Sequence, residues 1–130
     1  MCLQTVIFSK DKRFKKPIGK YVTRFKLFSG YPHDFSSCLF GNIKYSRNRP
    51  YSARAPQVLP EKKPLQVYRA GFHAFKHRTD AERYAKHFDY RLGHGHFICK
   101  VQVRGLLAKG KQYGMPVEVY QYMKIPKEDA

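Results

Sequence analysis

A capped helical pattern is the feature of this sequence that most restricts its fold. Thr79 and Glu82 have the spacing of a capping box, in which each side chain satisfies a backbone N–H at the start of a helix. One apolar face follows at the helical period, made by Ala81, Tyr84, Ala85 and Phe88. Gly93 is placed to end the helix in a left-handed conformation. The pattern predicts one well-capped helix over about residues 79–92.

Strands are predicted on both sides of this helix. Residues 67–75 precede it through a turn, and residues 96–103 follow it with alternating apolar and polar side chains. Similar patterns predict further strands at 2–8, 20–28, 42–45 and 117–125. At 130 residues the chain is expected to form a single domain. The predicted fold class is α+β, with a twisted, largely antiparallel sheet of five or six strands.

The segments between these elements are expected to be long, basic and irregular. Residues 9–20 and 46–66 are predicted to be basic loops, and prolines in the second exclude a helix or a central strand over most of it. Residues 104–116 are rich in glycine and read as a connection. Residues 127–130 are expected to be a frayed tail. A long loop within a compact domain is usually functional or mobile.

The charge of the chain points to its partner. There are 26 Lys and Arg residues against 9 Asp and Glu, which gives a net charge of +17. Such an excess destabilises a compact state through self-repulsion, and it suggests a polyanionic partner such as nucleic acid. The alternative is a generally basic surface that aids solubility.

Basic and aromatic side chains are interleaved in two stretches, which predicts a nucleic-acid-binding surface. Cations neutralise phosphates, and the rings of Phe14 and Tyr51 can stack on unpaired bases. The candidate binding residues are Arg13, Phe14, Lys15, Lys16, Arg24, Lys26, Arg47, Arg49, Tyr51 and Arg54. In the alternative interpretation the aromatic rings anchor loops to the core and the cations are only solvated. The sequence contains no ribonucleoprotein-type aromatic signature, zinc-finger spacing or Gly-x-x-Gly clamp.

The cysteines and histidines give little indication of metal chemistry. Cys2, Cys38 and Cys99 include no Cys-x-x-Cys pair, so no metal site, no disulfide scaffold and a reducing cytoplasm are expected. His96 and Cys99 are three positions apart and would face opposite ways on a strand. No apolar run is long enough to span a membrane, and no signal-peptide pattern is present, so no membrane association is expected.

Two residues are candidates for catalysis if the protein is an enzyme. His73 lies in a turn before the helix, where it is either an acid–base group or an imidazole that bonds the backbone of the turn. Glu118 begins the last strand and is either a catalytic carboxylate or a solvent-side residue of an alternating strand, the second being favoured.

Three short motifs resemble those of a family of small phage and prophage proteins. They are Phe25-Lys26-Leu27-Phe28, Arg69-Ala70-Gly71-Phe72-His73 and Met123-Lys124-Ile125. The resemblance implies a mobile-element origin and a host-takeover or counter-defence factor that acts near nucleic acid in a bacterial host cell.

A second set of motifs is similar to those of ADP-ribosyltransferases in order and spacing. The set consists of Gly71-Phe72-His73-Ala74, the helix face, Val101-Gln102-Val103-Arg104-Gly105 and Glu118-Val119-Tyr120. His73 stands where that family has a ring-stacking Tyr. Lys26-Leu27-Phe28-Ser29 stands where a His-Gly or Arg-Gly pair would hold the nicotinamide ribose. This resemblance implies a similar architecture and, for an active enzyme, NAD as cofactor and Glu118 as the residue that polarises the ribose hydroxyl.

The leading hypothesis is a non-enzymatic phage-type binding protein, with no cofactor, that engages nucleic acid. Its partner is either nucleic acid itself or the acidic surface of a protein complex that handles nucleic acid. An ADP-ribosyltransferase-like enzyme that uses His73 and Glu118 is the alternative. A third possibility is an inhibitor that docks on an acidic protein surface without any nucleic acid.

Overall fold

The computed structural model describes residues 3, 5–10, 12, 14–29, 35–37, 44–53, 71–88, 92 and 95–127. These residues form eight strands and one helix. In chain order the elements are β1 (Thr5–Ser9), β2 (Val22–Ser29), β3 (Phe35–Ser37), β4 (Lys44–Tyr45), β5 (Pro50–Ser52), β6 (Phe72–Ala74), α1 (Arg78–His87), β7 (His96–Gln112) and β8 (Met115–Lys124).

The strands form a single sheet. Six of them follow the order β4-β3-β2-β7-β8-β5, while β1 also pairs with β7 and β6 with β8. Every strand ladder is antiparallel. With one helix in the described residues, the predicted α+β class and largely antiparallel sheet are confirmed.

The long hairpin of β7 and β8 is the centre of the sheet. It replaces the predicted connection at 104–116, which was wrong, because β7 runs without interruption to Gln112. Tyr113 and Gly114 have φ of 51° and 78°, as a two-residue hairpin turn of the primed type requires. The glycines of this stretch suggested a loop, but they lie within the strand and have structural roles there.

Two of these glycines shape the hairpin. Gly105 has a φ of 76°, and the alternation of β7 slips there, so that Leu106 lies on the same side as Val101 and Val103. Gly110 lies against β1, where an added Cβ would overlap the carbonyl oxygen of Thr5. A side chain at this position would force β1 away from β7.

A pair of backbone hydrogen bonds closes the sheet on itself. The N–H of Phe25 donates to the carbonyl of Phe75 at 2.8 Å, and the N–H of Phe75 donates to the carbonyl of Phe25 at 2.7 Å. The end of β6 therefore returns to β2, and β2, β7, β8 and β6 form a closed ring. Lys26 Nζ adds a bond of 2.8 Å to the carbonyl of His73 at the same junction.

The helix has the predicted buried face but different ends. Ala81, Tyr84 and Ala85 are buried as predicted. The capping box was wrong: His77 is the N-cap, no side chain caps the helix, and Thr79 lies inside its first turn. Backbone hydrogen bonds hold Phe75 against β2. The helix therefore begins only after the chain has left this pairing.

The C-terminal end of the helix also differs from the prediction. The helix ends at His87, five residues earlier than predicted, and the N–H of Phe88 bonds the carbonyl of Tyr84 at 3.3 Å. Phe88 also contacts Tyr113 of the hairpin turn, with ring centroids 5.0 Å apart. Gly93, the predicted C-terminal cap, lies outside the described residues.

Two hydrophobic clusters lie on the two sides of the sheet. The helix side contains Leu27, Ile98, Leu107 and Val119 together with the helix face. The other side contains Phe28, Val101, Val103 and Met123, with Cys99 buried among them.

Three other predicted segments need correction. The loop at 46–66 contains β5, an edge strand whose first residue is Pro50, a position where the missing N–H costs no ladder bond. The segment between β2 and β4 contains β3. The strand predicted at 67–75 is described only from residue 71, and β6 occupies Phe72–Ala74.

We expect Gly110→Ala to destabilise the protein by about 1–3 kcal/mol, as overpacking of a core does. The new methyl group and the Thr5 carbonyl cannot occupy the same space, so β1 must move away from β7. Urea unfolding measures the loss. Lys109→Ala is the control, because Lys109 is the exposed neighbour of Gly110 on β7 and its replacement creates no overlap. Equal losses in the two variants would contradict the close approach of β1.

Candidate nucleic-acid interface

A cluster of polar side chains lies within the closed ring. The Nε of Arg24 on β2 donates to Glu118 Oε1 on β8 at 2.6 Å, although β7 lies between these strands in the sheet. The hydroxyl of Tyr120 donates to the same oxygen at 2.9 Å. The side chains of Arg24 and Glu118 are only 19% and 13% exposed. Contacts within the fold therefore engage this guanidinium.

The environment of the cluster shifts two of its pKa values. Burial raises the pKa of Tyr120 to about 12, and the charge of Glu118 and the hydrogen bond to it act in the same direction. Burial lowers the pKa of Arg24, but the hydrogen bond to Glu118 and the nearby charges outweigh it, so that the net shift is upward. Arg24 and Tyr120 both keep their protons around the Glu118 carboxylate.

Two of the predicted phosphate-binding cations belong to this interior. Arg24 is paired with Glu118, and Lys26 bonds the carbonyl of His73. Phosphate contact by either side chain is still a prediction, and it would have to compete with these contacts.

His73 and Glu118 are not brought onto one face. In the pairing of β6 with β8, His73 lies opposite Val119 and Ala74 lies opposite Glu118, and successive residues of a strand point to opposite sides. Burial, followed by the charge of Lys26, holds the pKa of His73 well below its usual value, and its ring has a hydrogen bond with the Gly71 backbone. This geometry favours the backbone-bonding interpretation of His73. Glu118 is not the solvent-side residue that the sequence favoured.

The candidates at 47–54 are partly structural. Arg47 Nη1 donates to the carbonyl of Pro126 at 2.9 Å. The ring of Tyr51 packs against Tyr45 at 4.9 Å, and its hydroxyl accepts a bond from the N–H of Ser46 at 2.6 Å. The Arg49 guanidinium lies 5.9 Å from the Tyr51 ring and is exposed. Tyr51 is therefore an anchor, and Arg54 lies outside the described residues.

The candidates at 13–16 lie in the irregular segment between β1 and β2. Lys15 and Lys16 are exposed, as predicted for a basic loop, while Arg13 lies outside the described residues. Phe14 is half-buried and fixed by Gln121, whose side chain accepts from the Phe14 N–H at 2.6 Å and donates to its carbonyl at 2.8 Å.

A basic face lies on the helix side of the sheet, beyond the end that the helix covers. Strand registers place Gln102 opposite Lys124 and Arg104 opposite Tyr122, and Tyr21 precedes the residue of β2 that pairs with Val103. We define the basic face by these residues: Tyr21, Gln102, Arg104, Tyr122 and Lys124. All five are half-buried, so their outer surfaces reach solvent.

Two cations flank one aromatic ring in the middle of this face. The guanidinium of Arg104 lies 4.3 Å from the centroid of the Tyr21 ring, and Lys124 Nζ lies 5.2 Å from it. Arg104 Nε is buried and has no hydrogen-bond partner among the described residues. The aromatic contact orients the two cations while leaving them able to bind acceptors.

The described carboxylates lie elsewhere. Asp80 and Glu82 are on the helix and pair with Arg83 and Arg78, each at 3.5 Å, and Glu118 pairs with Arg24. Within the described part of the chain, the basic face therefore carries positive charge with no acidic neighbour of its own.

The sequence prediction missed this surface. Arg104 was assigned to a connection, and Tyr21, Tyr122 and Lys124 were placed on strands without a role. The period-two spacing of Gln102 and Arg104, and of Tyr122 and Lys124, was the available signal. Only the hairpin register shows that these pairs lie side by side.

Two other kinds of site have no support in the described residues. No group of three His, Cys, Asp or Glu side chains among them is arranged to hold a metal ion. The helix within these residues does not have the length and apolar character needed to cross a membrane.

Comparison of the chain with protein-family models, curated proteins and solved structures found no match.

Loss of one partner of the Arg24–Glu118 pair should destabilise the fold. We expect Arg24→Met or Glu118→Gln to cost about 3–5 kcal/mol, because each leaves a poorly solvated group without its partner. Arg24→Met combined with Glu118→Gln should cost less than the sum of the single losses. Urea unfolding of the four proteins measures this coupling. Additive losses would contradict a direct interaction.

Tyr120 should make stability depend on alkaline pH. Its pKa is raised from 10 to about 12 in the fold, so the unfolded chain loses the phenol proton first and stability falls as pH rises between these values. Relative to Tyr120→Phe, the wild-type protein should lose up to about 2–3 kcal/mol over this interval. Urea unfolding at several pH values tests this difference. Parallel pH profiles for the two proteins would contradict it.

Proposed function

We propose that this protein binds nucleic acid through the basic face and the adjoining Lys10–Lys20 segment, as a non-enzymatic, phage-type binding protein. The resemblance of three short motifs to those of small phage and prophage proteins supports a role in host takeover or counter-defence within a bacterial cell. On this proposal the protein needs no cofactor.

The observation that carries the proposal is the arrangement of two cations around Tyr21. Arg104 and Lys124 approach one ring at 4.3 and 5.2 Å, on a part of the sheet that the helix leaves uncovered. Phosphate contacts dominate the affinity of proteins for nucleic acid, and cations held by aromatic contacts are already positioned to make them. The described carboxylates pair away from this surface, so none of them repels a phosphate there.

The exposed lysines of the preceding segment extend the same surface. Phe14 lies beside Tyr122, since an added Cβ at Gly105 would be 3.2 Å from the Phe14 ring and 3.1 Å from the Tyr122 ring. Lys15 and Lys16 follow Phe14 directly. The proposed interface thus combines the predicted Phe14, Lys15 and Lys16 with the newly located cations of the sheet.

The enzyme hypothesis has less support. It needs His73 and Glu118 to act on one substrate, but their positions in β6 and β8 direct them to opposite faces. Glu118 is also engaged by Arg24 and Tyr120. An ADP-ribosyltransferase-like activity predicts NAD consumption that Glu118→Gln abolishes, and we place this reading second.

Binding should be strongly salt-dependent. We expect fluorescence anisotropy to detect binding to labelled DNA or RNA at about 50 mM salt, and affinity to fall by about 10³–10⁵-fold at 200 mM for 6–10 phosphate contacts. Arg104→Gln combined with Lys124→Gln should weaken binding and reduce the slope of log affinity against log salt by about 2.

The matched control is Arg78→Gln combined with Arg83→Gln, which removes the same charge from the helix. It should change the slope much less. Equal effects of the two double variants would show that net charge alone governs binding and would reject the basic face as the interface. Absence of binding at low salt would reject nucleic acid as the ligand and favour an acidic protein surface.

A further inference from the structure

An open groove adjoins the basic face and differs from it in chemistry. It has a volume of about 590 Å³ and is lined by Phe8 of β1, by Lys10, Lys12 and Phe14 of the following segment, and by Leu106 of β7. The described residues of its lining are three apolar side chains and two lysines. A chain of phosphates alone would make no favourable contact with the apolar side chains of the groove.

The aromatic wall of the groove is held in place. The Gln121 side chain, only 4% exposed, bonds both the N–H and the carbonyl of Phe14. The N–H of Lys10 donates to the carbonyl of Leu107 at 2.7 Å, and Lys10 Nζ lies 4.6 Å from the centroid of the Phe14 ring. A ring fixed in this way loses little conformational freedom when a flat ligand packs on it.

The groove and the basic face approach each other at Phe14. A Cβ added at Gly105 would lie 3.2 Å from the Phe14 ring, which lines the groove, and 3.1 Å from the Tyr122 ring, which belongs to the basic face. A polymer that places phosphates near Arg104 and Lys124 could therefore continue into the groove.

We propose that this groove holds an unpaired base of a single-stranded nucleic acid. The base takes the place of Lys10 over the Phe14 ring and packs against Phe8 and Leu106, while Lys12 and the displaced Lys10 contact the neighbouring phosphates. This inference rests on the proposed function and names the class of nucleic acid that it concerns.

The apolar lining is the reason for choosing a single strand over a duplex. In a duplex the faces of the bases are stacked on each other, and only their edges are accessible in the grooves. Unpaired bases present their faces, and each base that stacks on an aromatic side chain contributes about 1–3 kcal/mol, or about 5–150-fold in affinity. A duplex would contact the lysines but leave Phe8 and Phe14 uncovered.

Fluorescence anisotropy with three DNA probes of equal length, measured at about 50 mM salt, tests the inference. The probes are a mixed-sequence single strand, its duplex, and an abasic single strand with the same phosphates but no bases; an RNA single strand is added to compare the two sugars. We expect the base-containing single strands to bind at least about 5-fold more tightly than the abasic strand. The same ordering should hold at higher salt, because stacking does not depend on counterion release.

Two variants locate the effect. Phe8→Ala and Phe14→Leu should each weaken binding of the base-containing strand by about 5–150-fold and leave the abasic strand unaffected. Ile7→Ala is the matched control, because Ile7 is the neighbour of Phe8 in β1, is 67% exposed against 44% for Phe8, and does not line the groove. Urea unfolding of each variant separates a binding defect from a folding defect, and Phe8→Leu replaces Phe8→Ala if the latter is unstable.

The outcomes distinguish this inference from the proposed function. Salt-sensitive binding of equal strength to all probes would overturn the stacking groove while leaving nucleic-acid binding intact. Equal losses for Phe8→Ala and Ile7→Ala would also overturn it. Absence of binding to every probe would overturn both proposals.

Discussion

The backbone pairing of Phe25 with Phe75 is the constraint on which the rest of the structure depends. It returns the end of β6 to β2 and so places side chains of β2, β6 and β8 within one enclosed space. Arg24 can then reach Glu118 across β7, over 94 positions of sequence. Two charges in such a place are expensive to desolvate, and their attraction offsets this cost only in good geometry. The pair therefore contributes more to fixing the relation of β2 to β8 than to net stability.

Ring closure also separates four cations of the sheet into two groups. On β2, Arg24 and Lys26 point into the ring and are bound by Glu118 and a backbone carbonyl. On β7 and β8, Arg104 and Lys124 point to the other side of the sheet and lie over the Tyr21 ring. The net charge of +17 says nothing about this division. This division into two groups determines which cations a polyanion can approach without first breaking an internal contact.

Local patterns in the sequence predicted the helix and the strands better than they predicted the roles of individual residues. The alternation of β2 and β8 and the apolar face of the helix depend on neighbouring residues, so they were visible. Whether Arg24 or Arg104 faces solvent depends on where the helix packs and where the sheet closes, which are contacts between distant residues. The glycines were ambiguous for the same reason. Gly105 and Gly110 resemble loop residues in sequence, but one bends a strand and the other admits β1.

Phe14 shows that anchoring and binding are not exclusive alternatives for an aromatic residue. Its backbone is fixed by Gln121 and its ring packs partly on the core, as an anchor does. The same ring lines an open groove beside Lys10, as a stacking platform does. Tyr51 differs, because its hydroxyl and ring are both engaged within the fold. The backbone of Phe14 is fixed by Gln121 while its side chain lines the groove, so a base that displaces Lys10 from the ring orders little more of the chain. The anchor therefore reduces the entropy lost on binding and makes Phe14 the better candidate.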